Sequence, residues 1–472
     1  MNDAEIARLL TAGNRWWRDP QRWADRDPDL RRLHAAPVNY APDPLAGIAP
    51  DGLYVLRGPR RVGKSVEIKR TIERLLADGI EPRRVLHCSC DGLTATDLRR
   101  LVRVGRDQLT RQVVQPRYWL LDEITAVPDW PQAIKWLRDN TAFAEDCVVL
   151  TGSSGRDLEE ARKQLADRRG RARDSDRLLL PMDFRAFVRA LGVTDLPEIP
   201  TVHPHDFLDR RCQEAVDTLL PWLDELASLW EVHCRIGGFP RAVADHIQLG
   251  DVDASFVNGL WDVIHGDALA RDGLSAVQSL HLMRKLALDL ASPVNMTAVA
   301  AEVGVASHHT AARRIRDLVD AYLVWPCHRR GDRWLPNLRA QSKLYFTDPL
   351  LARIAHLRTG HLPEPDVSRI SEQQIGLALV RRIAAGDPGR YADFAQVMYT
   401  RSGTGAEVDF CGEPLGAVAF EGKYTDVSLA RGSQTMRTMF GGRGVLATRA
   451  KLEQVGDARA MPAAFVAYLL GV

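Results

Sequence analysis

The chain carries the segment Leu53-Tyr-Val-Leu-Arg-Gly-Pro-Arg-Arg-Val-Gly-Lys-Ser65. An apolar, β-type run at residues 53–56 leads into the loop Gly58-x-x-x-x-Gly63-Lys64-Ser65, and a helical pattern follows at residues 66–77. Strand, glycine loop and helix come in the order that a P-loop requires. The alternative is a plain glycine turn before a helix that happens to contain Lys-Ser, and the full spacing argues against it.

This loop predicts a phosphate-binding site. Its two glycines allow the backbone to fold into a cradle of N–H groups, and these amides and the helix N-terminus supply partial positive charge. Lys64 is predicted to reach the β- and γ-phosphates of ATP, and Ser65 to offer its hydroxyl to Mg2+. The predicted nucleotide-binding residues of the loop are Gly58, Pro59, Arg60, Arg61, Val62, Gly63, Lys64, Ser65 and Val66.

A second motif supports the first. Strand candidates at residues 53–56, 84–88, 118–121 and 147–150 alternate with helical stretches at 66–77, 96–114 and 130–140, which predicts a parallel sheet covered on both faces. The apolar run Tyr118-Trp-Leu-Leu-Asp122-Glu123 ends in two carboxylates, as a Walker B motif does. Asp122 is predicted to hold Mg2+ through water, and Glu123 to polarise the attacking water.

Two further features are predicted to serve the γ-phosphate. Thr151 or Ser153, at the end of the next strand, is a candidate γ-phosphate sensor, although ordinary strand-end hydroxyls are the alternative. The arginine-rich residues 162–177 contain Arg171, a candidate arginine finger for a neighbouring subunit of a homo-oligomer. Arg168 and Arg169 compete for that role, and a solvated mixed-charge loop is the alternative.

Composition bounds what else the chain can do. Its 472 residues are 45% hydrophobic and 26% charged, which suggests roughly three domains with buried cores. With 63 basic and 61 acidic residues, the net charge is only +2, so any nucleic-acid-binding surface must be local. The seven cysteines are scattered, which favours reduced core thiols over a metal site.

Targeting signals are absent from the pattern. The amino end is acidic, without an apolar signal-peptide core, and no apolar run approaches the ~18 residues of a membrane helix. We therefore expect a cytoplasmic protein with no membrane contact. Residues 1–50 are predicted to form a tryptophan-containing strap that packs on the ATPase core, because no basic amphipathic helix supports a membrane-contacting role.

Several short segments occur in a fixed order along the chain. They are Asp122-Glu-Ile-Thr125, Val127-Pro-Asp-Trp130, Leu150-Thr-Gly-Ser-Ser154, Gly170-Arg171, Leu180-Pro-Met-Asp-Phe184 and Gly237-Gly-Phe-Pro240. Together they resemble a family of prokaryotic AAA-type, STAND-like ATPases with a C-terminal domain of unknown function, number 4143. The resemblance covers about residues 14–425, with departures at Thr125, where Gln is usual, and at Met182-Asp183, where Leu-Ser is usual.

The resemblance implies an α/β fold with a P-loop AAA-type core, a helical lid, a winged helix and a C-terminal domain like the restriction nucleases, of the PD-(D/E)xK type. The predicted domains are the strap at 1–50, the ATPase core at 51–195, the lid at 196–290, the winged helix at 291–340 and the nuclease-like domain at 341–472. In the winged helix, DNA contact would fall to His308, His309, Arg313, Arg314 and the arginines between strands at 323–327 and 334–338.

The last domain carries a second candidate site. Asp409 and Glu421-Gly-Lys423 resemble the nuclease signature, and period-two geometry places Glu421 and Lys423 on one face of a strand. Asp409 and Glu421 are predicted to hold one Mg2+, Lys423 to position or activate water, and Glu372 to add a further acidic ligand. The alternatives are chance surface residues or a degenerate fold that only binds.

Two functions follow from these motifs. The first is an oligomeric, Mg2+-dependent ATPase that acts on DNA through its C-terminal half. The second is a nucleotide-controlled switch or scaffold that binds a protein partner and has an inactive nuclease-like domain.

Overall fold

The computed structural model describes residues 1–38, 40–152, 158, 161, 164–172, 175–193, 195–270, 273–386, 394–403, 405–425 and 429–472. It has two compact units. The first is built mainly from Met1–Ala36 and Ala41–Leu180, and the second mainly from Pro181–Asp387 and Ala392–Val472. The first unit ends before residue 195, where the predicted core ended, because Met182 and Phe184 contact Gly238 and Trp230 of the second unit.

The first unit contains a five-stranded parallel sheet with the strand order β2-β3-β4-β1-β5. Its strands are β1 (Leu53–Arg57), β2 (Val85–Ser89), β3 (Tyr118–Asp122), β4 (Cys147–Thr151) and β5 (Asp176–Leu178). The four strands predicted from the sequence are thus confirmed to within a residue at each end. The principal helices are Asp3–Gly13, Trp23–Arg26, Pro28–Ala35, Lys64–Ala77, Ala95–Val104 and Trp130–Asn140.

Both faces of this sheet are buried, as the sequence predicted. Alternate residues of each strand enter one or the other of two apolar clusters. Leu53 and Val55 of β1 face one cluster, whereas Tyr54 and Leu56 face the other. The helix predicted at residues 96–114 is shorter than expected, because it passes into a π-helical turn, Gly105–Leu109, after Val104.

The N-terminal residues pack on the first unit's sheet, as expected for a strap. The indole N–H groups of Trp16 and Trp17 both donate to the carbonyl of Val85, each at 3.0 Å. Trp16 also packs edge-to-face on Trp23, with ring centroids 5.0 Å apart. The side chain of Asn14 accepts a hydrogen bond from the backbone N–H of His87 and donates one to its carbonyl. Asn14 therefore satisfies backbone groups of the edge strand β2.

A buried ion pair joins the interior strand β1 to the edge strand β5. Nη2 of Arg57 lies 2.7 Å from Oδ1 of Asp176, and the two side chains are 0% and 7% exposed. Arg57 directly precedes the glycine loop, so this pair helps to fix the strand from which the loop departs. A buried charge that loses its partner retains the cost of leaving water.

We predict that Asp176→Asn lowers the free energy of unfolding of the first unit by about 3–5 kcal/mol, because it leaves the Arg57 guanidinium buried without its carboxylate. Asp139→Asn is the matched control, since Asp139 pairs with Arg168 at an exposed site. Denaturant unfolding followed by circular dichroism measures both. Equal effects of the two substitutions would contradict a structural role for the buried pair.

The second unit contains an eight-stranded mixed sheet of order β12-β13-β11-β10-β9-β8-β6-β7. Its strands are β6 (Val324–Arg329), β7 (Lys343–Phe346), β8 (Met398–Arg401), β9 (Glu407–Cys411), β10 (Ala419–Gly422), β11 (Gly444–Thr448), β12 (Glu453–Val455) and β13 (Ala458–Pro462). Its helices include Phe184–Ala190, Arg210–Leu219, Leu223–Ile236, Pro240–Leu249, Ala254–Val263, Ala276–Leu288, Met296–Val303, His308–Asp320, Pro349–Thr359, Val367–Gly386, Leu429–Gly432, Gln434–Phe440 and Ala463–Leu470.

The predicted wing differs from the structure. Two helices, Met296–Val303 and His308–Asp320, meet at Gly304 as the sequence predicted. The strand expected at residues 334–338 is wrong, however, because β6 pairs with β7 on one side and with β8 on the other. The segment after the second helix therefore enters the large sheet. The predicted hairpin is reduced to an antiparallel bridge between Arg330 and Pro336, and the N–H of Asn337 donates to the carbonyl of Arg329 at 2.8 Å.

A glycine pair breaks the helical part of the second unit, as predicted. Gly237 has a φ of 75° and ends the helix Leu223–Ile236. The N–H of Gly238 donates to Oδ2 of Asp348 at 2.7 Å, and a Cβ on Gly238 would lie 2.1 Å from the carbonyl oxygen of Met182. The break is therefore a point of close packing, and only glycine fits there.

The cysteines and the lengths of the apolar helices were also predicted from the sequence. All seven cysteines are buried and unpaired with one another, as expected for core thiols. Within the described ranges, none of the helices combines the length and the apolar character needed to cross a membrane.

Candidate functional site

The loop after β1 is held open by residues with positive φ. Gly58 has a φ of 144°, and a Cβ there would lie 1.9 Å from the carbonyl oxygen of Leu179. Arg61 and Gly63 have φ values of 65° and 106°. This alternation turns successive backbone N–H groups toward one side and forms an anion-binding concavity at the start of the helix Lys64–Ala77.

Lys64 lies across the concavity of the loop. Its Nζ donates to the carbonyls of Gly58 at 2.8 Å and Pro59 at 3.0 Å, and the residue is 6% exposed. Burial lowers the pKa of Lys64 to about 8, although the neighbouring Glu123 and Asp122 oppose this shift. An ammonium with only two carbonyl partners retains the capacity to bond a phosphate oxygen.

The predicted Walker B carboxylates stand at the end of β3. Asp122 is 7% exposed; burial raises its pKa, and a hydrogen bond from Ser65 works in the opposite direction. Glu123 is half-buried and adopts left-handed backbone angles of 53° and 40°, with its N–H donating to Oδ1 of Asp122 at 3.1 Å. The left-handed turn at Glu123 therefore breaks the strand geometry between the two adjacent carboxylates.

Thr151 stands between the loop strand and the Walker B strand. In the register of β4, Thr151 pairs with Leu56, and Leu150 pairs with Leu121, so Thr151 is level with Asp122. Its Oγ1 is buried and has no hydrogen-bond partner among the described residues. A buried hydroxyl without a partner is costly unless a ligand or water completes it. The other sensor candidate, Ser153, lies outside the described residues.

The three candidate arginines differ sharply. Arg168 holds Asp139 through two hydrogen bonds of 3.0 and 3.1 Å, and Arg169 bonds the hydroxyl of Ser175 at 2.8 Å. The side chain of Arg171 is 90% exposed, with its Nε 3.6 Å from a carboxylate oxygen of Asp51. Exposure makes Arg171 the member of the three that is best placed to reach another molecule.

These residues fit Mg2+-ATP. The cradle of the loop, Lys64 and the unpartnered hydroxyl of Thr151 suit the phosphates. Ser65 and Asp122 supply the hard oxygen atoms that Mg2+ prefers. Arg60, Val62 and Val66 remain predictions as nucleotide contacts, since they follow from the loop motif alone.

The second predicted site contains a residue that sequence reasoning missed. Nζ of Lys343 lies 3.1 Å from Glu372, 2.7 Å from Glu407 and 2.9 Å from Asp409. The hydroxyl of Tyr345 donates to the same oxygen of Glu372 at 2.6 Å. The structure thus brings Glu372 and Asp409 together, as predicted, but around a buried ammonium.

The ionisation of this carboxylate cluster follows from its burial. Burial, and then repulsion by Asp409, raises the pKa of Glu372 to about 7 and that of Glu421 to about 8. Burial also opposes the charge on Asp409, yet Lys343 and Lys423 lower the pKa of Asp409 below its ordinary value. Asp409, principally, raises the pKa of Lys423.

The predicted second Mg2+ site remains a prediction. Among the described residues, no group of three or more His, Cys, Asp or Glu side chains is placed to hold a metal ion. One oxygen each of Glu372 and Asp409 accepts a hydrogen bond from Lys343, and the second oxygen of Asp409 accepts one from the N–H of Gly422. Oε1 of Glu421, by contrast, is buried and has no hydrogen-bond partner among the described residues. One signal was available: Lys343-x-Tyr345 and Glu407-x-Asp409 each place two polar side chains on one strand face.

The predicted DNA-contacting residues are only partly accessible. His308, His309 and Arg313 are exposed on the helix His308–Asp320. Arg314 is buried and lies 3.3 Å from Asp317, so it does not belong to an exposed basic face. Arg330 packs on the ring of Trp334, 4.7 Å from its centroid.

One family model matches the range that contains the first site. The AAA domain model matches residues 51–188, the range that carries the glycine loop, both Walker B carboxylates and Thr151. A domain of unknown function, DUF8612, matches residues 227–360. Domain number 4143 and the nuclease-like fold remain predictions, and no curated protein matches this chain.

Three of the solved structures that match this chain do so at TM-scores below 0.5. A Walker-type ATPase of Pyrococcus abyssi is 13% identical with a TM-score of 0.38, covering 70% of this chain and 95% of that chain. The ORC2 protein of Aeropyrum pernix, in ADPNP–ADP complexes, is 13% identical with a TM-score of 0.31, covering 67% and 91%. The ORC1 protein of Aeropyrum pernix, in complex with DNA, is 16% identical with a TM-score of 0.26, covering 73% and 96%.

We predict that Lys64→Ala abolishes ATP binding by the AAA domain, because the loop loses the charge that faces the phosphates. Glu123→Gln should keep binding but abolish turnover, since the amide cannot polarise water as a carboxylate does. Fluorescent-nucleotide titration and phosphate release measure the two effects. Lys135→Ala and Glu145→Gln, at exposed positions of the same unit, are matched controls. Wild-type turnover in Glu123→Gln would refute the Walker B assignment.

Proposed function

We propose that this protein binds ATP with Mg2+ and hydrolyses it in the AAA domain. The observation that carries the proposal is the convergence of Lys64, Asp122 and Thr151 at the carboxyl edge of one parallel sheet, where Thr151 is level with Asp122. Ligands of open α/β sheets bind at this edge. The buried, unpartnered hydroxyl of Thr151 adds a reason for a ligand there.

The roles of the chain's own residues follow from their positions. The loop amides and Lys64 bind the β- and γ-phosphates, and Ser65 and Asp122 hold the metal, which neutralises phosphate charge when it is bound. Glu123 orients the attacking water and accepts its proton. Thr151 donates its hydroxyl hydrogen to a γ-phosphate oxygen, and so distinguishes ATP from ADP.

We further propose that the second unit binds a partner under control of the nucleotide state, as a switch or scaffold does, and does not cut nucleic acid. The pairing of Glu372 and Asp409 with Lys343 supports this choice, because it occupies one oxygen of each of these carboxylates with an ammonium. DNA contact is the competing proposal, and the exposed His308, His309 and Arg313 favour it.

Steady-state phosphate release, with and without duplex DNA, tests these proposals. We expect turnover that requires Mg2+, stops with EDTA and is unchanged by DNA. Turnover raised by DNA would favour the competing proposal, and incubation with plasmid and Mg2+ or Mn2+ would then test for cleavage. Absence of nucleotide binding would refute the proposed function itself.

A shared active site in a homo-oligomer is the fourth prediction. Arg171 is exposed, whereas Arg168 is held by Asp139, so we propose that Arg171 stabilises the transferring phosphoryl group of the next subunit. Arg171→Ala and Lys64→Ala proteins should each be inactive, and mixing them should restore part of the phosphate release.

Arg168→Ala is the control for this mixing experiment, and it should remain active alone because its guanidinium is committed to Asp139. Light scattering at the assay concentration reports the oligomeric state. A monomeric protein with full activity, or an active Arg171→Ala variant, would contradict the shared site.

A further inference from the structure

The buried cluster around Lys343 has the composition of a metal site with a lysine at its centre. Three carboxylates, from Glu372, Glu407 and Asp409, contact Lys343, and the charges of Glu421 and Lys423 act on the same cluster. The side chain of Lys343 is 0% exposed. An ammonium with three carboxylate partners between 2.7 and 3.1 Å has used all three of its donors.

Lys343 reaches this position from a distant strand. It begins the edge strand β7, and Asp409 is on β9, with β6 and β8 between them. The Nζ lies 5.6 Å from the ring centroid of Tyr399 on β8, so the side chain crosses the face of the sheet toward β9. A lysine on an edge strand can extend into solvent and avoid the desolvation cost of burial. The inward direction of Lys343 therefore indicates that its carboxylate partners hold it there.

Its partners are fixed from several directions. The hydroxyl of Tyr345 donates to Glu372, and the N–H of Gly422 donates to Oδ2 of Asp409 at 3.0 Å. A Cβ on Gly422 would lie 2.9 Å from that of Glu372, so β10 and the helix Val367–Gly386 are in close contact at the cluster. The carboxylates are therefore held together whether or not a metal is present.

We propose that Lys343 is a built-in cation that takes the place of a divalent metal, and that this makes the second unit metal-independent. The ammonium offsets part of the negative charge of the carboxylates that the sheet brings together, and it closes the position where a cation would bind. Removing the ammonium should therefore create a divalent-cation site. This inference goes beyond ATP hydrolysis and does not depend on it.

Binding of Mn2+ to the full chain, without nucleotide, tests the proposal. An Asp122→Asn background removes the predicted metal ligand of the AAA domain, and electron paramagnetic resonance counts free Mn2+. The parent should bind no Mn2+, and Lys343→Met should gain one site that is lost again in Lys343→Met/Asp409→Asn. Lys451→Met, which removes a lysine paired with Glu453, is the matched control and should gain nothing.

Two results would overturn the proposal. One is Mn2+ binding by the parent that Asp409→Asn abolishes; the other is a folded Lys343→Met protein that gains no site. If Lys343→Met fails to fold, the parent titration still decides the first question. A double-mutant cycle of Lys343→Gln and Asp409→Asn, measured by thermal unfolding, then decides whether the ammonium and carboxylate act as a pair: additive losses would contradict it.

Discussion

A sheet that is buried on both faces has only its strand ends available for polar side chains. In the first unit this constraint determines the site. The carboxyl ends of β1, β3 and β4 meet at one edge, and the loop, Asp122 and Thr151 follow from them. The apolar clusters on the two faces hold the strands in register. The glycine loop, Asp122 and Thr151 are distant in the sequence, and the packing of the sheet alone brings them together.

Each unit contains a buried lysine, and the two lysines have different hydrogen-bond partners. In the AAA domain, Lys64 is buried against carbonyls only, which leaves its charge for an incoming anion. In the second unit, Lys343 is surrounded by carboxylates, which compensates its charge completely. The first arrangement suits a site that binds a ligand, and the second suits a core that excludes one. The same residue type thus serves recognition in one place and packing in the other.

The sequence predicted the first unit more fully than the second for a physical reason. The strands of the AAA domain are apolar runs of regular period, and the loop and Walker B motifs are contiguous, so local pattern was enough. The cluster around Lys343 joins residues 343, 372, 407 and 409 from two strands and a helix, a pairing that no local pattern contains. The strand partners of β6 were missed for the same reason, because the choice of β7 and β8 depends on long-range pairing.

The buried cysteines give each unit its own reporter of opening. Cys88, Cys90 and Cys147 belong to the first unit, and Cys212, Cys234, Cys327 and Cys411 to the second. Burial raises the pKa of Cys212 to about 11 and that of Cys411 to about 12, so these thiols stay protonated and unreactive in the closed fold. A thiol reagent added to the native protein therefore modifies only transiently opened molecules. Peptide mapping then shows which cysteines carry the label, so the opening of each unit is measured separately in the same wild-type chain.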